Sequence, residues 1–356
     1  DVRSFYSEFY GPNNATLVLA GDFDSDSAKI LLEKYFGEIK PHGDVKERDP
    51  ITVSLDDTKK LYHEDRFANV PELTMVWPVP QEFHEDMYAL NFLARILSDG
   101  KKAPLYKVLV REKQLTSSTN AYNSTNELAG EFTVSVRANE DINLKEIEEA
   151  VFEAFERFEE EGIRPEDVER IKALSEKSFY EGLNGVFNKS FNLAYYNVML
   201  GDPGYIQKDI ENIKAVTSDD IMRVYHQYIK DKPHIVTSLV PKGQTEMVAA
   251  NSVNALIKEE NISDATSVEI PESDEKEIVK TPSLIDRSIE PAAGQEPEVN
   301  IPEVWRTELP NGIEVYGILN SELPLVHMNI MIEGGVMQDN IDMPGVAGMV
   351  ASVLQQ

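Results

Sequence analysis

Residues 61–97 read LYHEDRFANVPELTMVWPVPQEFHEDMYALNFLARIL, and this stretch decides the fold class. Leu61 to Phe67 and Leu73 to Val79 are short runs split by Asn69 to Glu72, a spacing that predicts a β-hairpin. Pro78 and Pro80 put the end of the second run at a sheet edge, because proline brings no N–H to a ladder. From about Glu85 to Leu97 the period changes: Tyr88, Phe92, Leu93 and Ile96 share one helical face, and Gly100 ends the helix. Strands followed by an amphipathic helix predict an α+β fold, an antiparallel sheet covered by helices on one face.

The same grammar extends in both directions. A short helix is expected from about Pro104 to Glu112, with strands over 115–123 and 130–138, where Phe132, Val134 and Val136 alternate. Three helices follow. The first carries Leu144, Ile147, Val151, Phe155 and Phe158 at helical spacing and stops at Gly162. Pro165 opens the second, with Glu166 and Asp167 favourable at its positive end. Thr217 caps the third, and a strand from Ile235 to Val240 closes the domain. Gly182 to Gly185 is read as a helix interruption. On the N-terminal side, residues 1–10 read as the end of a helix and Gly11 to Asn14 as a turn. Ala15 to Ala20 predicts a short buried strand. A helix capped by Asp24 or Ser25 then presents Ala28, Leu31, Leu32 and Tyr35. Residues 40–58 read as a polar linker.

Residues 245–300 change character. Between Glu259 and Glu298 there are 12 acidic against 3 basic residues, with prolines throughout, which predicts a tether with too little apolar surface to offset its chain entropy. A new module then begins: the turn Leu309-Pro310-Asn311-Gly312, strands over 313–319 and 325–332, and a helix introduced by Pro344 and Gly345. Hairpin then helix thus occurs at 61–97 and again at 313–354, a repeat in pattern that suggests a duplicated unit.

Composition narrows the function. The chain has 356 residues and a formal net charge of −29, a sign that repels phosphate backbones and excludes nucleic acid as a partner. With no cysteine there is no disulfide, thiol nucleophile or Cys-based zinc site. No apolar run approaches the ~20 residues that span a bilayer. Both ends fall in amphipathic segments, which predicts a piece of a longer chain.

Four phrases resemble the insulinase-type (pitrilysin-like) zinc metallopeptidases, in that family's order. They are Tyr10 to Asp24; Leu97 to Tyr106 with Val110 to Lys113; Gly201 to Tyr205 and on to Ile221; and Leu309 to Tyr316 through Gly334-Gly335 to Gly345. The resemblance implies four parts: the tail of a zinc-type domain (1–45), a complete non-metal domain (46–244), a linker (245–300) and the head of a third, degenerate zinc-type domain (301–356). It implies a parent endopeptidase that closes its two halves around peptides or unfolded protein, this chain supplying chamber wall and hinge. The other half of the same chain would be its partner. A non-catalytic, structural or chaperone-like member is the alternative. Exported members of the family make a periplasmic home the expectation, with the cytoplasm as alternative.

The chemistry itself is expected elsewhere. The family's zinc motif sets two histidines at i and i+4 on one helix with a glutamate base between them. At the corresponding place this sequence has Gly348, Ala351 and Ser352, none of which can ligate zinc or take a proton. The resemblance implies zinc ligands upstream of Asp1, in the first domain. His42, His63, His84, His226, His234 and His327 contain no i,i+4 pair. His63 and His84 each precede two acidic residues, yet lack a second histidine nearby and read as loop or strand-end residues. The aromatic stretch Phe179, Tyr180, Phe187, Phe191, Tyr195 and Tyr196 either lines a peptide chamber or packs the core. No position is assigned a catalytic, cofactor-binding or metal-binding role.

Overall fold

A computed structural model describes residues 2–41, 45–46, 48–257, 283–290, 294 and 301–354, without the side chains of Arg3 and Ala351. Two units are distinguished, Asp1–Glu298 and Val299–Gln356. The first is organised by a six-stranded sheet of β1 (Lys59–Asp65), β2 (Glu72–Val79), β3 (Asn120–Thr125), β4 (Gly130–Arg137), β5 (Ile235–Pro241) and β6 (Val253–Asn254). Their order across the sheet is β3-β4-β2-β5-β1-β6. The helices are α1 (Val2–Phe9), α2 (Ser25–Phe36), α3 (Met87–Ser98), α4 (Leu144–Glu161), α5 (Pro165–Glu181), α6 (Val186–Leu200), α7 (Ile206–Ala215) and α8 (Ser218–Val224).

The α+β class holds, with a sheet flanked by helices. The expected 61–79 hairpin does not form. β5 lies between β1 and β2, parallel to β1 from Lys59↔Ile235 and antiparallel to β2 from Glu72↔Leu239. β6 adds a second parallel pairing, Leu61↔Val253, so the sheet is mixed. Alternation along a strand fixes which side chains go inside but does not say which strand lies alongside. Pro78 still finds an edge-like place. It pairs with Glu131 on β4, and β5 begins only opposite Val76, so no ladder bond is lost on that side.

Leu73, Met75, Trp77 and Val79 of β2 face the helices and are buried, as are Phe132, Val134 and Val136 of β4. Leu144, Ile147, Val151, Phe155 and Phe158 of α4 pack as their spacing predicted. Each such side chain contributes about 1.5–3 kcal/mol through burial. Asn143 caps α4 by accepting from the Lys145 N–H at 2.8 Å, and Gly162 ends it at φ +65°, a left-handed value that a Cβ disfavours. The expected helix near 104–112 is a π-helical turn, Tyr106–Glu112. Between 165 and 224 there are four helices rather than two, since α6 and α7 join α5 and α8.

Other expectations are corrected. Ala15 to Ala20 forms no strand and is largely exposed; among the described residues it has no strand to pair with, and an unpaired strand cannot satisfy its backbone. Residues 245–257, read as the start of the linker, lie on the domain. Ala249 is buried, its N–H donates to Ser238 Oγ at 3.1 Å, and β6 follows. In the second unit the hairpin joins β7 (Val304–Glu308) to β8 (Glu314–Ile318) around Leu309 to Gly312, and 325–332 is not a strand. A hairpin thus precedes the helix in the second unit, with other strands than expected, whereas none forms over 61–79. The predicted last helix is α9 (Val346–Leu354).

Candidate functional site

β3 is an edge strand. One side pairs with β4, from Asn120↔Ser135 to Thr125↔Gly130. Beside it runs a groove of about 610 Å³, lined by Ala121, Tyr122 and Asn123 of β3, Asn91 and Arg95 of α3, and Ser175, Ser178 and Phe179 of α5. Alternating side chains put Ala121 toward the helices and Tyr122 on the open side, 43% exposed. Asn123 Nδ2 donates to Asn91 Oδ1 at 3.1 Å, while Asn123 Oδ1 is buried with no hydrogen-bond partner among the described residues. An edge strand next to a groove with spare polar capacity can take up extended backbone.

The far wall is held by Asp209, in the first turn of α7, where the helix dipole favours a carboxylate. The Tyr88 hydroxyl donates to its Oδ1 at 2.7 Å and the Tyr196 hydroxyl to its Oδ2 at 2.6 Å. Burial, and then the hydrogen bond to Asp209, push both phenols up, for Tyr88 against an opposing effect of Asn212, so they remain donors. One carboxylate thus ties α3, α6 and α7 together. Asp86 stands at the start of α3. Its buried carboxylate meets Arg223 Nη2 at 2.6 Å and accepts from the Tyr228 hydroxyl at 2.6 Å. Burial acts to raise its pKa, but Arg223 and Tyr228 outweigh this and hold it below the usual carboxylate range.

The aromatic stretch divides. Phe179 lines the groove, Tyr195 and Tyr196 pack with Phe83 and Tyr205, and Phe187 and Phe191 are exposed. Neither single reading of that stretch covers all six residues. The sequence reading names Tyr88 and Tyr196 but not the Asp209 that joins them; the available signal is an acidic residue in the first turn of α7, a helix that reading does not include.

The histidines are scattered. His63 lies on β1 with its side chain on the face away from the helices, opposite in parity to Lys60, whose Nζ reaches Glu148 of α4 at 2.5 Å. His84 Nδ1 accepts from the Asp86 N–H at 3.1 Å, so it serves the start of α3. His226 and His327 are exposed, and His42 lies outside the described residues. His234 is buried, stacked on Trp77 with ring centres 4.7 Å apart. Among the described residues no group of three or more His, Asp or Glu is placed to hold a metal ion. The resemblance implies zinc in the parent, and α9 does not fit it: Gly348 offers no ligand, and the Ser352 hydroxyl donates to the Gly348 carbonyl at 3.1 Å. No helix among the described residues is long and apolar enough to cross a membrane.

Residues 1–175 match the family described as Peptidase M16 inactive domain. Zinc protease PqqE of Helicobacter pylori is 23% identical over 249 residues, which are 68% of this chain and 54% of that protein. A solved protease from Helicobacter pylori superposes with a TM-score of 0.60 at 22% identity, covering 67% of this chain and 58% of that one. The solved periplasmic protease PqqL of Escherichia coli gives a TM-score of 0.51 at 14% identity, over 62% of this chain and 25% of that one. At these identities the structural likeness is one of fold. The chain spans little more than half the length of the first two.

Proposed function

Starting from residues 1–175 as a peptidase M16 inactive domain, in keeping with the insulinase-type phrases of the sequence, we propose that this chain is the non-catalytic part of a zinc endopeptidase. In this reading the β3 edge and its groove hold unfolded peptide as an added strand, while zinc and its ligands belong to other polypeptide of the parent. The observation that carries it is the open edge beside the groove, walled by the Tyr88–Asp209–Tyr196 clamp. Main-chain pairing binds a peptide irrespective of its sequence, which suits a degradative enzyme. The chain's likeness to a zinc protease and to a periplasmic protease supports the same direction and a periplasmic home.

The test is made in the full-length parent. Filling the groove with Ser178→Trp is expected to raise KM several-fold with kcat little changed, since it removes binding shared by ground and transition states. Equal zinc content in both proteins separates this from damage to the catalytic centre. An unchanged KM overturns the assignment of the groove, and stoichiometric zinc or peptide cleavage by the present chain overturns the non-catalytic assignment. A second reading, a wholly non-catalytic chaperone-like member, draws on α9, where Gly348 and Ser352 replace ligands. A full-length parent that binds peptide but neither zinc nor cleaves it would favour that reading.

A further inference from the structure

The groove beside β3 contains a cation that the fold leaves uncommitted. Arg95 lines it from the last turn of α3 and is half-buried. The helix dipole favours a positive charge there, but a guanidinium also carries five N–H donors. Among the described residues Arg95 has no carboxylate within 4.0 Å and its side chain donates to no acceptor. Other arginines of the same unit are paired: Arg157 with Glu112 at 2.6 Å, Arg164 with Asp167 at 2.5 Å and Arg223 with Asp86 at 2.6 Å. With 63 acidic against 34 basic residues, carboxylates are not what is scarce in this chain. The neutral groups around Arg95 are donors as well. Asn91 accepts from Asn123 through Oδ1, which leaves its own amide N–H groups unspent. Ser175 and Ser178 stand three residues apart on one face of α5, and their hydroxyls have no partner among the described residues. Two acids line the same groove. Asp209 is spent on the Tyr88 and Tyr196 hydroxyls, and Asp99 is exposed and also lines a second cleft with Lys102 and Lys107.

We propose that Arg95 sets the specificity of the groove by binding a carboxylate of the peptide held at the β3 edge, with the spare donors of Asn91, Ser175 and Ser178 around it. The groove then favours extended peptides that carry an acidic side chain or a free C-terminal carboxylate. This inference rests on the assignment of the groove to peptide and adds to it. Main-chain pairing with β3 fixes where the peptide lies but reads none of its side chains, so selection has to come from the lining. A guanidinium meets a carboxylate through two parallel N–H···O bonds, a geometry that a neutral amide side chain does not match. The net charge of −29 acts against an anionic peptide at long range. That field is screened beyond about 8 Å at physiological salt, so the local contact decides. Asn123 Oδ1, the spare acceptor in the groove, suits a peptide N–H and does not compete for Arg95.

Kinetics of the full-length parent on matched unstructured peptides test it. The reference peptide has glutamine at every internal acidic position and a C-terminal amide. Its relatives carry one glutamate, moved along the peptide, or a free C-terminal carboxylate. At least one relative is expected to show a KM about tenfold below the reference, the order of one charge-assisted contact, and the form that does so identifies the source of the carboxylate. Arg95→Gln should abolish that difference and leave KM and kcat for the reference peptide unchanged, which also shows that the variant is folded. Arg95→Glu should reverse it, favouring lysine over glutamate at the same position. If Arg95→Gln disturbs the reference peptide too, this reversal decides, because misfolding cannot exchange one preference for its opposite. A parent that treats all the peptides alike, or a preference that survives Arg95→Gln, overturns the proposal. The groove itself is judged separately by Ser178→Trp on the reference peptide: a raised KM keeps the groove whatever Arg95 does, and an unchanged KM removes both.

Discussion

His234 carries a cost that its surroundings define. Its ring is buried between Trp77, stacked at 4.7 Å, and Phe152, edge-on at 5.9 Å. Nδ1 lies 2.9 Å from the Lys232 carbonyl, which assigns the proton to Nδ1 and leaves Nε2 buried without a partner among the described residues. Burial therefore pushes the imidazole below its ordinary value of 6.5, against smaller opposing effects from Lys232 and Glu148. The folded protein then binds fewer protons at this site than the unfolded chain. Its contribution to stability is present above pH 6.5 and is lost as pH falls from there through the folded pKa. Denaturant midpoints are expected to drop between pH 7.5 and 5.5, and His234→Phe, which keeps the stack but cannot titrate, should flatten that drop. An equal slope in both proteins would assign the effect to other groups. Nothing in the sequence around Pro233-His234 announces this role, because it depends on Trp77, brought alongside only when β5 enters the sheet.

At the scale of elements, what the sequence shows best is what is settled within one turn. Thr217 reads as a cap in the sequence and is one: its hydroxyl accepts from the Asp220 N–H at 3.2 Å and Asp220 Oδ2 accepts from the Thr217 N–H at 3.0 Å. This closed pair starts α8, which carries the buried Ile221 and Val224 and aims Arg223 at Asp86. Thr217→Ala should cost about 1 kcal/mol, and Thr217→Ser clearly less, read as a shift in urea midpoint at constant slope. The covered face of β4 and the apolar stripe of α4 are legible for a similar reason, since periodicity is a local property. α6 and α7 were harder to see. α6 is bounded by Gly185 and Gly201, both at positive φ, but its apolar residues spread around the helix instead of forming one stripe, and Phe187 and Val198 are exposed. The groove was not legible at all. Its lining comes from α3, β3 and α5, and no window of sequence contains all three.

At the scale of the whole first unit, β5 holds the sheet together. It is the one strand that contacts both β1 and β2, and the β1 contact joins Lys59 to Ile235 across most of the domain's sequence. A local hairpin would close cheaply, whereas this pairing must bear the entropy of a long loop before any ladder bond forms. Two consequences follow from that geometry. Refolding should be limited by β5 docking. Loosening β5 should also loosen the strands on both sides together, although these are not bonded to each other. Val236 is fully buried and pairs with Lys60 on one side and Met75 on the other. Val236→Ala should cost about 2 kcal/mol, from lost burial and the small cavity left behind. Hydrogen exchange in the full chain should then show the amides of Lys60 to Tyr62 and of Thr74 to Val76 losing protection by similar factors, with β3 less affected. A hairpin of β1 and β2 that formed independently would keep its protection when β5 is weakened, and that outcome would contradict the strand order on which the placement of the groove depends.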